Sequence, residues 1–418
     1  MTSRPGIPLT WLSRDARIVI IARGLHAFGM GNVSVLGAIY LHLLGFDLVQ
    51  IGLFLGAGLA GAILYTLVIV LIGDRLGRRR LLAAFTFMIA GAALAMAIMD
   101  NFLLLTVVVF LGGFSMAGGP GRGGAVLPLA QAVLADTVSA DKRTNLYTIY
   151  AIVGRGCTAL GALAASMPAL YQDFFGLSEL SAVRIAFVTF AILFALSALL
   201  YNFLSPSVEV SSSRQPWVNP FRLPSRRLIL TLSGLLGVDS FAGGLVVQSL
   251  ISLWFFTQFG VKLESIAFIF FGSQFMSAIS MWVSAWLANR LGLIRTMVFT
   301  HIPASLMLIA FPFLPTAWIA AVFWIIRSFF HMMDVPLRMS YRMAVVSPHE
   351  RSSMAGVSNV TMGVAGIVSP PIATALWSIG AISIPFISGG IIKLAYDLSL
   401  YIMFRKVKPP EEAHRSDA

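Results

Sequence analysis

The amino-acid sequence predicts an all-α integral membrane protein of twelve transmembrane helices, arranged as two pseudo-symmetric six-helix bundles. Three observations predict it. The chain of 418 residues is 58% hydrophobic and only 11% charged, a composition foreign to soluble domains. Its apolar residues come in runs of about twenty with short polar breaks, the length a helix needs to cross a bilayer. The chain also repeats itself. Gly73-Asp74-Arg75-Leu76-Gly77-Arg78-Arg79-Arg80, between two apolar runs, is echoed by Ala288-Asn289-Arg290-Leu291-Gly292-Leu293-Ile294-Arg295 between two later ones. Leu127-Pro128-Leu129 through Val138-Ser139 to Arg143 likewise aligns with Val335-Pro336-Leu337 through Val346-Ser347 to Arg351, at a constant offset of 208.

The runs fall at 18–42, 48–72, 81–99, 103–134, 144–169, 181–204, 228–257, 265–288, 296–315, 316–345, 353–378 and 382–404. The repeat divides them into a first bundle over residues 1–204, a polar linker over 205–227 and a second bundle over 228–418 with a short tail. An even number of spans leaves both termini on one side. Of the 29 Lys and Arg, only Arg184 and Lys262 fall in loops on the opposite side, so the termini are expected in the cytoplasm. The formal charge of +12 is then topological and calls for no nucleic-acid partner. The apolar run that follows Arg4, Arg14 and Arg17 is too long for a cleavable signal peptide and is expected to remain as the first helix. A single cysteine, Cys157, excludes an intrachain disulfide and any multi-cysteine metal cage.

Polar residues inside a span are costly unless they face protein or a watery cavity, which makes them functional candidates. The first run carries Arg23, His26 and Asn32. The second carries Gly52, Gly56, Gly58 and Gly61, which let a neighbouring helix approach closely. In the fourth, Gly118-Gly119-Pro120-Gly121-Arg122-Gly123-Gly124 predicts a broken helix, a common mark of transporter sites. The fifth holds Gly154-Arg155-Gly156. A hairpin centred near residue 139 puts Arg122 and Arg155 within about 3 Å in depth, where two buried arginines favour an anion between them. The seventh run carries Asp239 near mid-depth, either as a titrating group or as a counter-ion to an arginine. In the tenth, Arg327, His331, Asp334, Arg338 and Arg342 are spaced to share one helical face. They either line a pathway, with Asp334 or His331 exchanging a proton, or satisfy one another, with Asp334 pairing with Arg338. Lys393 and Asp397, four apart in the twelfth run, read as a mutual pair that seals a bundle.

The loop at 73–80 resembles the signature between the second and third helices of the major facilitator superfamily, Gly-x-Leu-Ala-Asp-Arg-x-Gly-Arg-Lys. Asp74, Arg75, Gly77, Arg78 and Arg79 match it position by position, with Val70 in place of its first glycine and Ile72 in place of its leucine. The resemblance implies a central cavity lined by helices one, four, seven and ten, with Asp239 opposite Arg23, His26 and Arg122. It also implies a gate at Asp74, Arg75, Gly77, Arg78 and Arg79, with Asn289 and Arg290 as their counterparts, in which the Asp74 carboxylate faces a helix N-terminus and holds the cytoplasmic side closed.

No P-loop, His-Glu-x-x-His or nucleophile-elbow pattern is present, so neither ATP-driven pumping nor an enzyme is expected, and no cofactor. The reading is a secondary active transporter in the inner membrane, working by alternating access as a monomer. It would move a small or amphipathic organic anion bound by Arg23, His26, Asn32, Arg122, Arg155 and Arg327. Asp239, Asp334 and His331 would couple transport to protons, with sodium as the alternative coupling ion. The rivals are a multidrug exporter recognising cationic or neutral compounds through Asp239 and Asp334, a divalent metal-ion exporter using His26, His331 and Asp334, and a membrane sensor that keeps the fold without transport. The chain's 18 methionines add little to the metal reading, because in His331-Met332-Met333-Asp334 consecutive helical side chains diverge.

Overall fold

The computed structural model describes residues 12–117, 126–135, 137, 143–209, 223–347, 350–405 and 407. Among them the regular structure is helical, with no strand. The first half contains α1 (Arg14–Leu43), α2 (Leu48–Leu76), α3 (Arg78–Ile98), α4 (Phe102–Gly112), α5 (Val126–Ala135), α6 (Arg143–Ala164), α7 (Met167–Phe175) and α8 (Glu179–Tyr201). The second contains α9 (Arg226–Leu245), α10 (Gln248–Phe259), α11 (Leu263–Leu291), α12 (Leu293–Ala310), α13 (Ala317–His331), α14 (Asp334–Ala344), α15 (Arg351–Ser378) and α16 (Ile384–Phe404). Eleven segments of the described residues are long and apolar enough to cross a membrane. The remaining predicted span, 103–134, is represented by α4 and α5. The break expected there, with Arg122, lies outside the described residues.

Three runs expected to be continuous helices are each broken once. Pro168 ends α6 at Ala164 and Pro336 interrupts the tenth run after His331, because a proline ring clashes with the carbonyl four residues back. The seventh run breaks at Val246–Val247 just after Gly243 and Gly244, two residues that weaken a helix. The tenth-run stripe is therefore shared between α13 and α14 and does not follow one straight face.

The internal repeat is visible in backbone geometry. Gly77, between α2 and α3, and Gly292, between α11 and α12, both adopt φ +85°, a conformation that favours glycine. At Gly77 there is a second reason: Glu209 accepts hydrogen bonds from the backbone N–H of Arg78 (2.8 Å) and Arg79 (3.2 Å), and a Cβ on Gly77 would stand 2.7 Å from its carboxylate. Asp15 accepts from the Ser205 backbone N–H at 3.1 Å and from its hydroxyl at 2.5 Å. The segment leaving α8 is thus tied to the starts of both α1 and α3.

Small residues set the closest helix crossings. A Cβ on Gly31 would sit 2.1 Å from the Thr158 carbonyl oxygen and one on Gly161 2.0 Å from that of Phe28, so α1 and α6 touch backbone to backbone. The glycines of α2 divide their work: Gly58 and Gly61 admit Phe114 and Phe110, while Gly52 and Gly56 admit Thr374, Ile367 and Pro371 of α15. These last two join the bundles. So do Gln248, which donates to Ser34 Oγ at 3.0 Å, the His42–Phe256 ring contact and Ile63 against Gly363. Because α1 runs away from the N-terminus, these junctions all lie from mid-depth to the side remote from the termini.

Candidate functional site

Two polar clusters stand inside the membrane region, one in each bundle. In the first, the close crossing of α1 and α6 lays the Arg23 guanidinium on α6. A Cβ on Gly154 would meet its Nε at 2.7 Å, so glycine is what admits it. The cation lies 5.5 Å from the centroid of the Tyr150 ring, a favourable cation–π placement. Its Nε is buried without a hydrogen-bond partner, and Arg155, adjacent to Gly154 in sequence, is partly buried. Among the described residues neither Arg23 nor Arg155 has a carboxylate partner. On the same helix His26 turns toward α8, its ring 5.2 Å from Phe194, with Nδ1 unpartnered. Asn32 is 1% exposed and neither atom of its amide has a partner, a costly arrangement for a buried polar group.

The second cluster is a network across α9, α12, α13, α14 and α16. Asp239 on α9 accepts from Lys393 Nζ of α16 at 2.5 Å and from Arg338 NH1 of α14 at 2.5 Å. Arg338 also reaches Asp334 at 3.5 Å, one turn away. On α12, His301 Nδ1 lies 2.9 and 3.0 Å from the two oxygens of Asp397 on α16. Its Nε2 lies 3.2 Å from Nδ1 of His331 on α13, with the rings stacked 5.4 Å apart. Arg327 donates from Nε to the Ala304 carbonyl at 3.2 Å and lies over Trp324 at 4.7 Å. Asp334 Oδ1, Arg342 Nε and the Tyr396 hydroxyl are buried without partners among the described residues.

The two clusters revise several expectations. Lys393 and Asp397 do not pair with each other: Lys393 is drawn to Asp239 and Asp397 to His301. Burial explains the choice, since both α16 residues are 1% exposed and each needs a partner on a facing helix. Asp239 finds its charge partners within its own bundle, with Arg338 and Lys393, and not among Arg23 and His26. His301 carries no distinguishing motif, only its place as a lone histidine in an apolar run. In the gate, the side chains of Asp74, Arg75 and Asn289 lie outside the described residues. The contact that is seen at the start of α3 comes from Glu209. Arg79 also donates to the Leu204 carbonyl at 3.0 Å, and exposed Arg290 stacks on Trp286 at 4.2 Å. Among the described residues no three of His, Cys, Asp or Glu are grouped so as to hold a metal ion.

Comparison with known proteins places this architecture. The sequence model of the Major Facilitator Superfamily matches residues 19–370. An uncharacterized membrane protein of Saccharomyces cerevisiae, YJR124C, is 22% identical over 427 residues, 94% of each chain. The crystal structure of the nucleoside transporter NupG superposes with a TM-score of 0.74 at 14% identity, covering 94% of this chain and all of that one (100%). That of a D-xylose-proton symporter gives 0.72 at 13% identity, covering 94% and 97%.

Proposed function

The chain belongs to the Major Facilitator Superfamily, a transporter and not an enzyme, and on that premise we propose that it moves a small or amphipathic organic anion by alternating access, coupled to protons. The observation that carries the anion is Arg23. Its guanidinium is held over Tyr150 and against Gly154, beside Arg155, and among the described residues its Nε has no partner and no carboxylate neutralises it. Two cations at one place on the α1–α6 crossing suit a carboxylate or phosphate, which the planar guanidinium fork can grip with two hydrogen bonds. Asn32 offers further polar atoms along α1, and Arg122 and His26 belong to the same reading.

The coupling groups sit in the other bundle. Asp239 holds Lys393 and Arg338 together, with Asp334 behind. A proton on Asp239 would release both cations, and its loss would recapture them, which gives the second bundle two electrostatic states. His331 supplies a further proton acceptor at the α13–α14 break. The D-xylose-proton symporter among the structural neighbours is in keeping with proton coupling. In this reading the protein is a monomer of the inner membrane with cytoplasmic termini. The loop at 73–80 with Arg290 then acts as the gate, steadied by Glu209 at the positive N-terminus of α3.

Ligand-induced thermal stabilisation of the purified protein tests the substrate class, since a ligand that binds the folded state raises its stability. Panels of organic anions, organic cations and divalent metals are compared at roughly pH 6 and roughly pH 8, either side of a histidine's ordinary range. Anions alone are expected to stabilise. A hydrogen bond to a charged group is worth about 1.5–3 kcal/mol, so Arg23→Gln and Arg155→Gln should each weaken anion binding roughly 10- to 150-fold. Stabilisation by cations or metals instead would move the site to Asp239, Asp334 and His331 and overturn the anion reading.

A further inference from the structure

Among the described residues, three buried carboxylates lie within the helices of the second bundle, and they are not treated alike. Asp239 has two permanent cations, Lys393 and Arg338, and Asp334 shares Arg338. Asp397 has neither lysine nor arginine: its one charge-capable contact among the described residues is His301, at 2.9 Å. Both are sealed, with 1% exposure each. A buried carboxylate without a cation is costly, and the imidazole beside it can supply one by taking up a proton. That proton has a route. His301 Nε2 is hydrogen-bonded to His331 Nδ1. His331 sits at the break between α13 and α14, is partly exposed, and its Nε2 has no partner among the described residues.

We infer that Asp397, His301 and His331 form a proton-holding relay, loaded at His331 Nε2 and storing its charge on His301 against Asp397. In the empty state His301 donates Nδ1–H to the Asp397 carboxylate, and His331 donates Nδ1–H to His301 Nε2. A proton arriving at His331 Nε2 makes that ring an imidazolium. It then passes its Nδ1 proton to His301 Nε2 and is left neutral, with hydrogen on Nε2. His301 is now the imidazolium, facing Asp397. One proton enters, each ring nitrogen is accounted for, and the triad goes from one negative charge to neutral. Unloading reverses the steps.

The charged and titratable groups around the relay fit this assignment. From α16 come Lys393, committed to Asp239, and Tyr396, whose ring lies 6.3 Å from His301. From α13 comes Arg327, bound to the Ala304 carbonyl. Asp334 and Arg338 of α14 and Asp239 of α9 form the adjoining network, joined to the relay through the single turn of α16 that separates Lys393 from Asp397. Loading therefore changes the charge next to the Asp239 pair without occupying it. The relay deepens the proton-coupled reading above and rests on it.

Histidine-selective nitrogen NMR of the full chain in lipid nanodiscs tests it, with His301 and His331 assigned from His301→Gln and His331→Gln. The expected result is one shared protonation step seen by both rings. Its midpoint should fall by about one to three pH units in Asp397→Asn, because an adjacent anion favours the charged ring by that much. Two rings that titrate separately, or a midpoint unmoved in Asp397→Asn, would overturn the relay. If Asp397→Asn does not fold, the two assigned rings of the unaltered protein still decide by titrating together or apart. The parent reading is separated by the pH response of the distance between spin labels at the cytoplasmic ends of α2 and α11. A response that persists unchanged in His301→Gln and Asp397→Asn sinks the relay alone. No response in the unaltered protein sinks proton coupling, and the relay with it.

Discussion

At the scale of single residues, Asp239 bears the largest electrostatic load in the second bundle. Removing one partner of a buried ion pair costs about 3–5 kcal/mol, because the other charge is left uncompensated. Asp239→Ala strands Lys393 and leaves Arg338 with its 3.5 Å contact to Asp334, so it should lower stability by about that amount in detergent unfolding, and Lys393→Met added to it should restore part of the loss. Outside the membrane, Glu350 accepts from the Ser225 backbone N–H at 3.1 Å and the Ser347 hydroxyl at 2.6 Å. Burial pushes its carboxyl up, but these hydrogen bonds outweigh burial and hold it below the ordinary value of 4.5. A depressed carboxylate stabilises the fold fully above its unfolded pKa, and the contribution is lost as pH falls through the folded value. Melting temperature should therefore fall on acidification below 4.5, and Glu350→Gln should flatten that acid limb; an unchanged limb would show that the contact contributes nothing. The site was only partly legible in the sequence. Periodicity singles out Asp239, Asp334 and His331 as polar groups in apolar runs. It cannot say which carboxylate meets which cation, because that depends on which helices face each other. The i, i+4 spacing of Lys393 and Asp397 therefore suggested a local pair where the packed bundle has two distant ones.

At the scale of elements, glycine and proline do most of the specifying. Gly77 and Gly292 stand at corresponding places in the repeat and share φ +85°. With ψ of 130° and 164° they occupy backbone regions that side chains rarely adopt, at a cost of roughly 1–3 kcal/mol, so Gly77→Ala and Gly292→Ala should each destabilise by about that much in a thermal unfolding assay. The Glu209 carboxylate should make Gly77→Ala the worse of the two, and equal losses would argue that the Glu209 contact is incidental. At the α1–α6 crossing, a Cβ on Gly161 would fall 2.0 Å from the Phe28 carbonyl oxygen. Gly161→Ala must push the helices apart, at about 1–3 kcal/mol for such overpacking. Substrate-class stabilisation should fall as well, since the same crossing seats Arg23 on Gly154. Helix existence and the repeat were readable because a bilayer imposes a fixed apolar length. The breaks after Ala164 and His331 were also readable in principle, set four and five residues before Pro168 and Pro336. The break at Val246–Val247 has no such marker.

At the scale of the whole molecule, the two bundles meet along α2 and α15 and at the remote end of α1, where Ser34 and Gln248 are bonded across the junction at 3.0 Å. Alternating access requires that junction to open. Cysteines placed at Ser34 and Gln248, in a Cys157→Ser background and bridged by a short thiol reagent, should hold the bundles together and reduce transport to background; full transport in the bridged protein would contradict the rocking motion. The architecture follows from composition and repeat, whereas the cargo depends on the shape and charge of the space between the bundles, which linear spacing does not encode. The most direct test of proton-coupled anion transport is flux into proteoliposomes under an imposed pH gradient, using the organic anions that stabilise the protein. The account predicts that the gradient alone drives their accumulation, and that Asp239→Asn uncouples it. Equal flux with and without the gradient, in protein that binds the anion, would contradict it.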